Sequence, residues 1–244
     1  MKTALITGAN RSIGLETARQ LAQQNYHVYL GSRSLEKGQE AADKLKAEGL
    51  TSVEAIALDV NNPESIASAR EALGKKTQTL DVLVNNAGIS GGLPQPATTM
   101  DVATIRQVFD TNFFGVINVT QAFIDLLKSS DAPRIVNVTS GLGSLTMHSD
   151  PSWDYYDFKS AAYGPSKTAL NAYTIVLAHE LRDTPFKVNA VDPGYTATDF
   201  NNHQGTKSVE DAARHLVTYA VLDADGPTGK FFSEDINSNG ESPW

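Results

Sequence analysis

The 244-residue sequence contains no cysteine, which excludes disulfides, thiolate catalysis and cysteine-ligated zinc. Its five histidines are scattered and suggest no metal cluster. It has no apolar run near the roughly 20 residues that a membrane helix needs. The apolar start Ala4-Leu5-Ile6 meets Thr7-Gly8 too early for a signal peptide, so a soluble, cytoplasmic protein is expected. Basic residues are also short: 20 against 28 acidic side chains, a formal net charge of -8. That is the wrong sign for a surface that neutralises nucleic-acid phosphates. Any anion must be held by a local basic pocket.

What is present is a regular alternation. With 41% hydrophobic and 20% charged residues, the chain suits one α/β domain over 1–244 with a continuous core. Strand-like runs occupy Lys2 to Thr7, His27 to Ser32, Val53 to Leu58, Leu80 to Val84, Arg134 to Thr139 and Lys187 to Val191, with a last one near Gly229 to Phe232. Between them lie helical stretches: one from Ser12, then Leu35 to Glu48, Pro63 to Leu73, Thr98 to Asp110, Thr111 to Lys128, Tyr163 to Leu181, and Val209 to Leu222. This order predicts a doubly wound Rossmann domain, with a parallel sheet of about seven strands and helices on both faces. The polar tail from Asn237 to Trp244 is expected to be irregular.

The first strand runs into Thr7-Gly8-Ala9-Asn10-Arg11-Ser12-Ile13-Gly14. Amides at the start of a helix bind a pyrophosphate when no side chain blocks the approach, and Gly8 and Gly14 give that access. About 20 residues on, an acidic side chain holds the ribose of NAD, whereas an arginine accommodates the 2'-phosphate of NADP. Here the place reads Gly31-Ser32-Arg33. With Arg33 as a planar fork and Arg11 as a second cation, the cofactor expected is NADP(H).

Tyr163-Gly164-Pro165-Ser166-Lys167 puts a tyrosine and a lysine on one helix face, four residues apart. A phenol of pKa about 10 needs a nearby positive charge to exchange its proton in both directions, and Lys167 supplies one. Pro165 removes an amide and should free the carbonyl of Ala161, kinking the helix or marking its start. Upstream, Ser140 ends a strand-like run and Asn85-Asn86-Ala87-Gly88 ends another.

Together these motifs make the chain resemble the short-chain dehydrogenase/reductase family over nearly its whole length, and within it the NADPH-dependent carbonyl reductases. The glycine turn has the family's spacing, with Ser12 where a middle glycine is expected. The resemblance implies that Gly8, Asn10, Arg11, Ser12, Ile13, Gly14 and Arg33 bind the cofactor. Asp59-Val60 would contact the adenine, and Asn86-Ala87-Gly88 would line the ribose and stabilise the central sheet. It implies Tyr163 as the general acid, Lys167 as lowering its pKa and bonding the nicotinamide ribose, and Ser140 as orienting the substrate oxygen. Asn112, in Thr111-Asn112-Phe113-Phe114-Gly115, would sit where a helix opens locally to hold a relay water. Pro193-Gly194 and Thr196 match the turn beside the nicotinamide.

The activity implied is reduction of ketones or aldehydes to alcohols. A 3-oxoacyl-type reductase and a catalytically silent NADP(H)-sensing regulator are the alternatives. The segment Met147 to Phe158, with Trp153, Tyr155, Tyr156 and Phe158, is longer than the family's usual link. It either walls a pocket for a bulky carbonyl compound or covers helices that other members use to associate, and a monomer is plausible.

Overall fold

Short runs of apolar residues buried on both sides make the centre of the sheet. In the computed structural model, which describes residues 1–237 and 240–244, the strands are β1 (Thr3–Thr7), β2 (His27–Ser32), β3 (Val53–Ala57), β4 (Val82–Asn85), β5 (Arg134–Val138), β6 (Lys187–Asp192) and β7 (Phe231–Ser233). Every residue of β1, β4 and β5 is buried, as both faces of a parallel sheet require. The strand order is β3-β2-β1-β4-β5-β6-β7, with all pairs parallel. The chain winds outward from β1 to β3, then crosses back to β4. The reversal leaves a crevice beyond the carboxyl ends of β1 and β4, where such sheets bind ligands.

Alternate residues of each strand feed two cores. On one face Ala4, Ile6, Leu30, Val84 and Val136 pack with Leu21, Leu45 and Leu216. These come from α1 (Ser12–Gln23), α2 (Leu35–Ala47) and α8 (Val209–Ala220). On the other, Leu5, Leu83, Ile135 and Val188 pack with Leu73, Phe123 and Leu177, from α3 (Pro63–Gly74), α5 (Gly115–Lys128) and α7 (Tyr163–Glu180). Short polar side chains start several helices: Ser34 caps α2, Asn62 caps α3 ahead of Pro63, and Ser208 caps α8.

Three local features depart from the sequence reading. The helix expected from Thr98 begins at Val102 as α4 (Val102–Phe109), because Thr99 and Met100 turn back onto the Pro96 carbonyl and Asp101 caps the first turn. Short turns of helix, among them α6 (Leu145–His148) and α9 (Glu234–Asn237), fill what read as loops. The tail is tied down rather than loose: Glu241 bridges antiparallel to Phe232, and the Trp244 ring stacks on Phe231 at 5.7 Å. Residues 238 and 239 of that tail lie outside the described residues.

Candidate active site

The turn after β1 is shaped by its backbone. Gly8 has φ +65° and Ser12 φ +49°. A Cβ on Gly14 would fall 2.5 Å from Asn86 Nδ2 and 2.7 Å from the Gly8 carbonyl, so only glycine lets α1 start this close to β4. The α1 N-cap, Arg11, makes no side-chain cap, and the first turn holds no acidic residue. The unsatisfied amides there suit a phosphate. Beside the turn is a cleft of about 440 Å³ that Asn10, Arg11, Ser12, Lys37 and Lys44 help to line. Arg33 is exposed at the end of β2 and makes no ion pair among the described residues. Glu40 lines the cleft too, and its cationic side chains together with the open amides of the turn suit a phosphate-bearing cofactor. Arg11 is partly committed elsewhere, since its guanidinium donates to Asp199 at 3.1 Å.

Asn86 locks the same turn from β4. Its Nδ2 donates to the carbonyls of Thr7 (2.8 Å) and Gly8 (3.2 Å), while the amides of Asn86 and Ala87 both donate to Thr7 Oγ1 at 3.0 Å. These bonds brace the glycine turn against β4. Asn85 points the other way, donating to Asn137 Oδ1 (2.9 Å) and Thr120 Oγ1 (3.1 Å) in the buried interior. Val60 is buried, and Asp59, just beyond β3, is partly exposed.

The remaining residues meet at the carboxyl ends of β4, β5 and β6. Tyr163 is the first residue of α7, which places Pro165 in the first turn, where its missing N–H has no partner to lose. The kink or nearby start expected from Pro165 is therefore a start. Lys167 is 4% exposed, and its Nζ donates to the Val138 carbonyl at 2.8 Å and lies 5.7 Å from the Tyr163 ring centroid. Ser140 follows β5, and its Oγ accepts from the Leu142 amide at 3.2 Å. Asn112 lies in a π-helical turn, Asp110–Phe114, between α4 and α5. The local opening of the helix is thus present. The Asn112 side chain uses both amide hydrogens: Nδ2 donates to the Ile89 carbonyl (2.9 Å) and Ser166 Oγ (3.0 Å), while Oδ1 accepts from the Ile89 amide at 2.9 Å.

Burial governs the electrostatics. It pushes the Tyr163 phenol well above its ordinary pKa, with the Asp192 carboxylate adding to the rise and the Ser140 hydroxyl opposing it. The same burial drops Lys167 to about 8, and the Asp192 carboxylate only partly restores it. Asp192, at the end of β6, is raised to about 6 by burial against the hydrogen bonds it accepts from Ser233 Oγ (2.6 Å) and the Gly194 amide (3.0 Å). A third donor, the Gly141 amide, ties it to the Ser140 loop. Sequence reasoning assigned Asp192 no role. No local pattern marks it, because β6 carries Lys187 and Asn189 as well.

Gly194 has φ +77°, and a Cβ there would meet the Asp235 carboxylate at 2.7 Å. Thr196 is buried, with its hydroxyl donating to the Pro193 and Gly194 carbonyls (3.2 and 3.1 Å). Beyond it, Phe200 lies 5.4 Å from the Tyr163 ring. The aromatic segment reaches this same loop: His148, Trp153, Tyr155 and Tyr195 form a chain of ring contacts of 5.1, 5.5 and 6.3 Å. These contacts join the aromatic segment to the loop that carries Tyr195. Ile175 and Val176 of α7 stay exposed.

A profile of the family described as short chain dehydrogenase matches residues 2–208. The chain belongs to the short-chain dehydrogenase family. It is similar to (+)-neomenthol dehydrogenase of Capsicum annuum, 32% identical over an alignment that covers 94% of each protein. Carbonyl reductase (NADPH) 1 of Mus musculus is 31% identical over 99% of this chain and 98% of its own. Among solved structures, salutaridine reductase from Papaver somniferum superposes with a TM-score of 0.83 at 29% identity, over 96% of this chain and all of that one. Membership makes the protein an oxidoreductase of a family that uses a nicotinamide cofactor, and the carbonyl-reductase branch is where its named relatives lie.

Proposed function

We propose that the protein is an NADPH-dependent oxidoreductase that reduces ketones or aldehydes to alcohols, acting as one domain over 1–244 in the cytoplasm. The observation that carries this reading is the meeting of Tyr163, Ser140 and Lys167 beside the β1–β4 crevice, at the open ends of the strands. The NADPH named for the mouse relative agrees with an exposed Arg33 that makes no ion pair among the described residues. Gly8, Asn10, Ser12, Ile13 and Gly14 would hold the pyrophosphate, and Arg33 and Arg11 the 2'-phosphate. Asp59 and Val60 would flank the adenine, Ala87 and Gly88 the ribose, and Pro193, Gly194 and Thr196 the nicotinamide. NADPH, when bound, supplies the hydride.

Tyr163 gives its proton to the substrate oxygen as negative charge grows there. A phenol held above its ordinary pKa stays protonated at neutral pH, the form that a reduction needs. Ser140 orients the oxygen with its hydroxyl. Lys167 holds positive charge under the phenol and stabilises the phenolate that remains, while the opened turn at Asn112 provides a place for a relay water. Phe200, Tyr155 and Tyr195 give the substrate an aromatic wall, suited to an apolar, bulky carbonyl compound.

Tyr163→Phe tests the assignment. Turnover should fall by about 100-fold or more, as expected for loss of a general acid, with NADPH affinity nearly unchanged in a fluorescence titration. Activity close to wild type would mean another acid.

A further inference from the structure

Gln95 lies in the segment between β4 and α4 and is 4% exposed. Its amide uses both donors and both acceptor positions. Nε2 donates to the carbonyls of Ser90 (2.5 Å) and Gly92 (2.7 Å). Oε1 accepts from the amides of Ala162 (3.1 Å) and Tyr163 (3.0 Å), and the Gln95 carbonyl accepts from the Ala161 amide at 3.1 Å. Ala162, the N-cap of α7, has no side-chain cap of its own. Gln95 takes that place from another part of the chain.

The other side of Tyr163 is held as well. Its carbonyl accepts from Ser166 Oγ at 2.7 Å. Ser166 Oγ in turn accepts from Asn112, which is bonded both ways to Ile89. Both peptide groups of Tyr163 are therefore tied, through buried amides, to residues 89–95. That segment leaves β4 directly after Asn86-Ala87-Gly88. A shift of the helix start would move the phenol relative to the crevice, and a displacement near 1 Å at a reacting group can cost about 100-fold in rate.

We propose that Gln95 is a positioning residue: by clamping the start of α7 to the loop after β4, it fixes where the Tyr163 hydroxyl stands. The inference rests on the reductase reading given above. It is tested with Gln95→Met, which keeps the length and loses every side-chain bond, and Gln95→Glu, which keeps the acceptor for Ala162 and Tyr163. Three quantities are compared: kcat against KM for carbonyl reduction, NADPH affinity, and hydrogen exchange at the Ala162 and Tyr163 amides.

Gln95→Met should lose about 10- to 100-fold in kcat, with KM and NADPH affinity within about threefold of wild type and both amides exchanging fast. Gln95→Glu should keep those amides slow and recover part of the kcat, which also secures the test if Gln95→Met does not fold. The inference is overturned if Gln95→Met keeps its kcat, if kcat and NADPH affinity fall together, or if Gln95→Glu loses kcat while its amides stay slow. Wild-type protein without turnover on any carbonyl would sink the reductase reading instead. Exchange at Tyr163 left slow by Gln95→Met would sink this inference alone.

Discussion

A lysine nitrogen that is buried beside one carbonyl holds its proton weakly, and Lys167 is such a lysine, with a pKa of about 8. Burial disfavours the charged form, so the charge under the phenol is present below about pH 8 and is lost as pH rises through that value. The kcat/KM for reduction, which reports the free enzyme, should therefore fall above about pH 8; a profile flat to pH 10 would contradict the role given to Lys167. Asp192 acts in the opposite sense on Tyr163, since its carboxylate raises the phenol further. Asp192→Asn should move the alkaline-favoured profile of alcohol oxidation, which needs the phenolate, to lower pH. No movement would remove Asp192 from the account. Arg33→Asp should weaken NADPH binding by about 2 kcal/mol, roughly 30-fold, since a hydrogen bond to a charged group is worth about 1.5 to 3 kcal/mol. Titration of both cofactors checks it, with NADH expected to change little. The residues at this scale that could be read in the sequence are those with fixed spacing, Tyr163 and Lys167 above all. Gln95 and Asp192 could not be, because their partners lie 67 and 41 residues away and no local pattern marks the pairing.

Elements were more legible than residues. The central strands announce themselves as unbroken apolar runs because both faces are covered, and the long helices carry caps such as Ser34, Asn62 and Ser208. The four-residue helices α6 and α9 are shorter than one amphipathic repeat, so no periodicity could show them. The π-helical turn at Asp110–Phe114 is likewise silent in its composition; only the resemblance pointed to it. Phe123 shows what the helix layer contributes. It is fully buried on α5, among Leu83, Ile135 and Leu177 in the core under β4 and β5. Phe123→Ala should cost about 3 to 5 kcal/mol of stability in a denaturant titration. A loss under about 1 kcal/mol would mean that this face is not packed as described. The exposed pair between Arg11 and Asp199 joins the glycine turn to the loop that carries Phe200. Such surface pairs contribute about 0 to 1 kcal/mol, so the loop's place depends on the Thr198 cap and the Tyr195 contacts more than on this charge pair.

At the scale of the molecule, the sheet reversal brings the glycine turn, the start of α7 and the loop carrying Phe200 to the carboxyl ends of the strands, although their residues are spread from Gly8 to Phe200. Among the described residues no helix is long and apolar enough to cross a membrane. Ligand binding at these strand ends should stabilise the whole fold. At 100 times its dissociation constant NADPH adds about 2.7 kcal/mol, or roughly 5 to 10 °C in Tm for a chain of this size; NADH at the same concentration should add less. An equal shift with both would remove the preference built on Arg33. The most direct test of the central claim is the initial rate of NADPH oxidation with a reactive aromatic aldehyde or quinone, run beside NADH. The account predicts a clear rate with NADPH, much reduced with NADH. Tight NADPH binding without turnover on any carbonyl compound would contradict it.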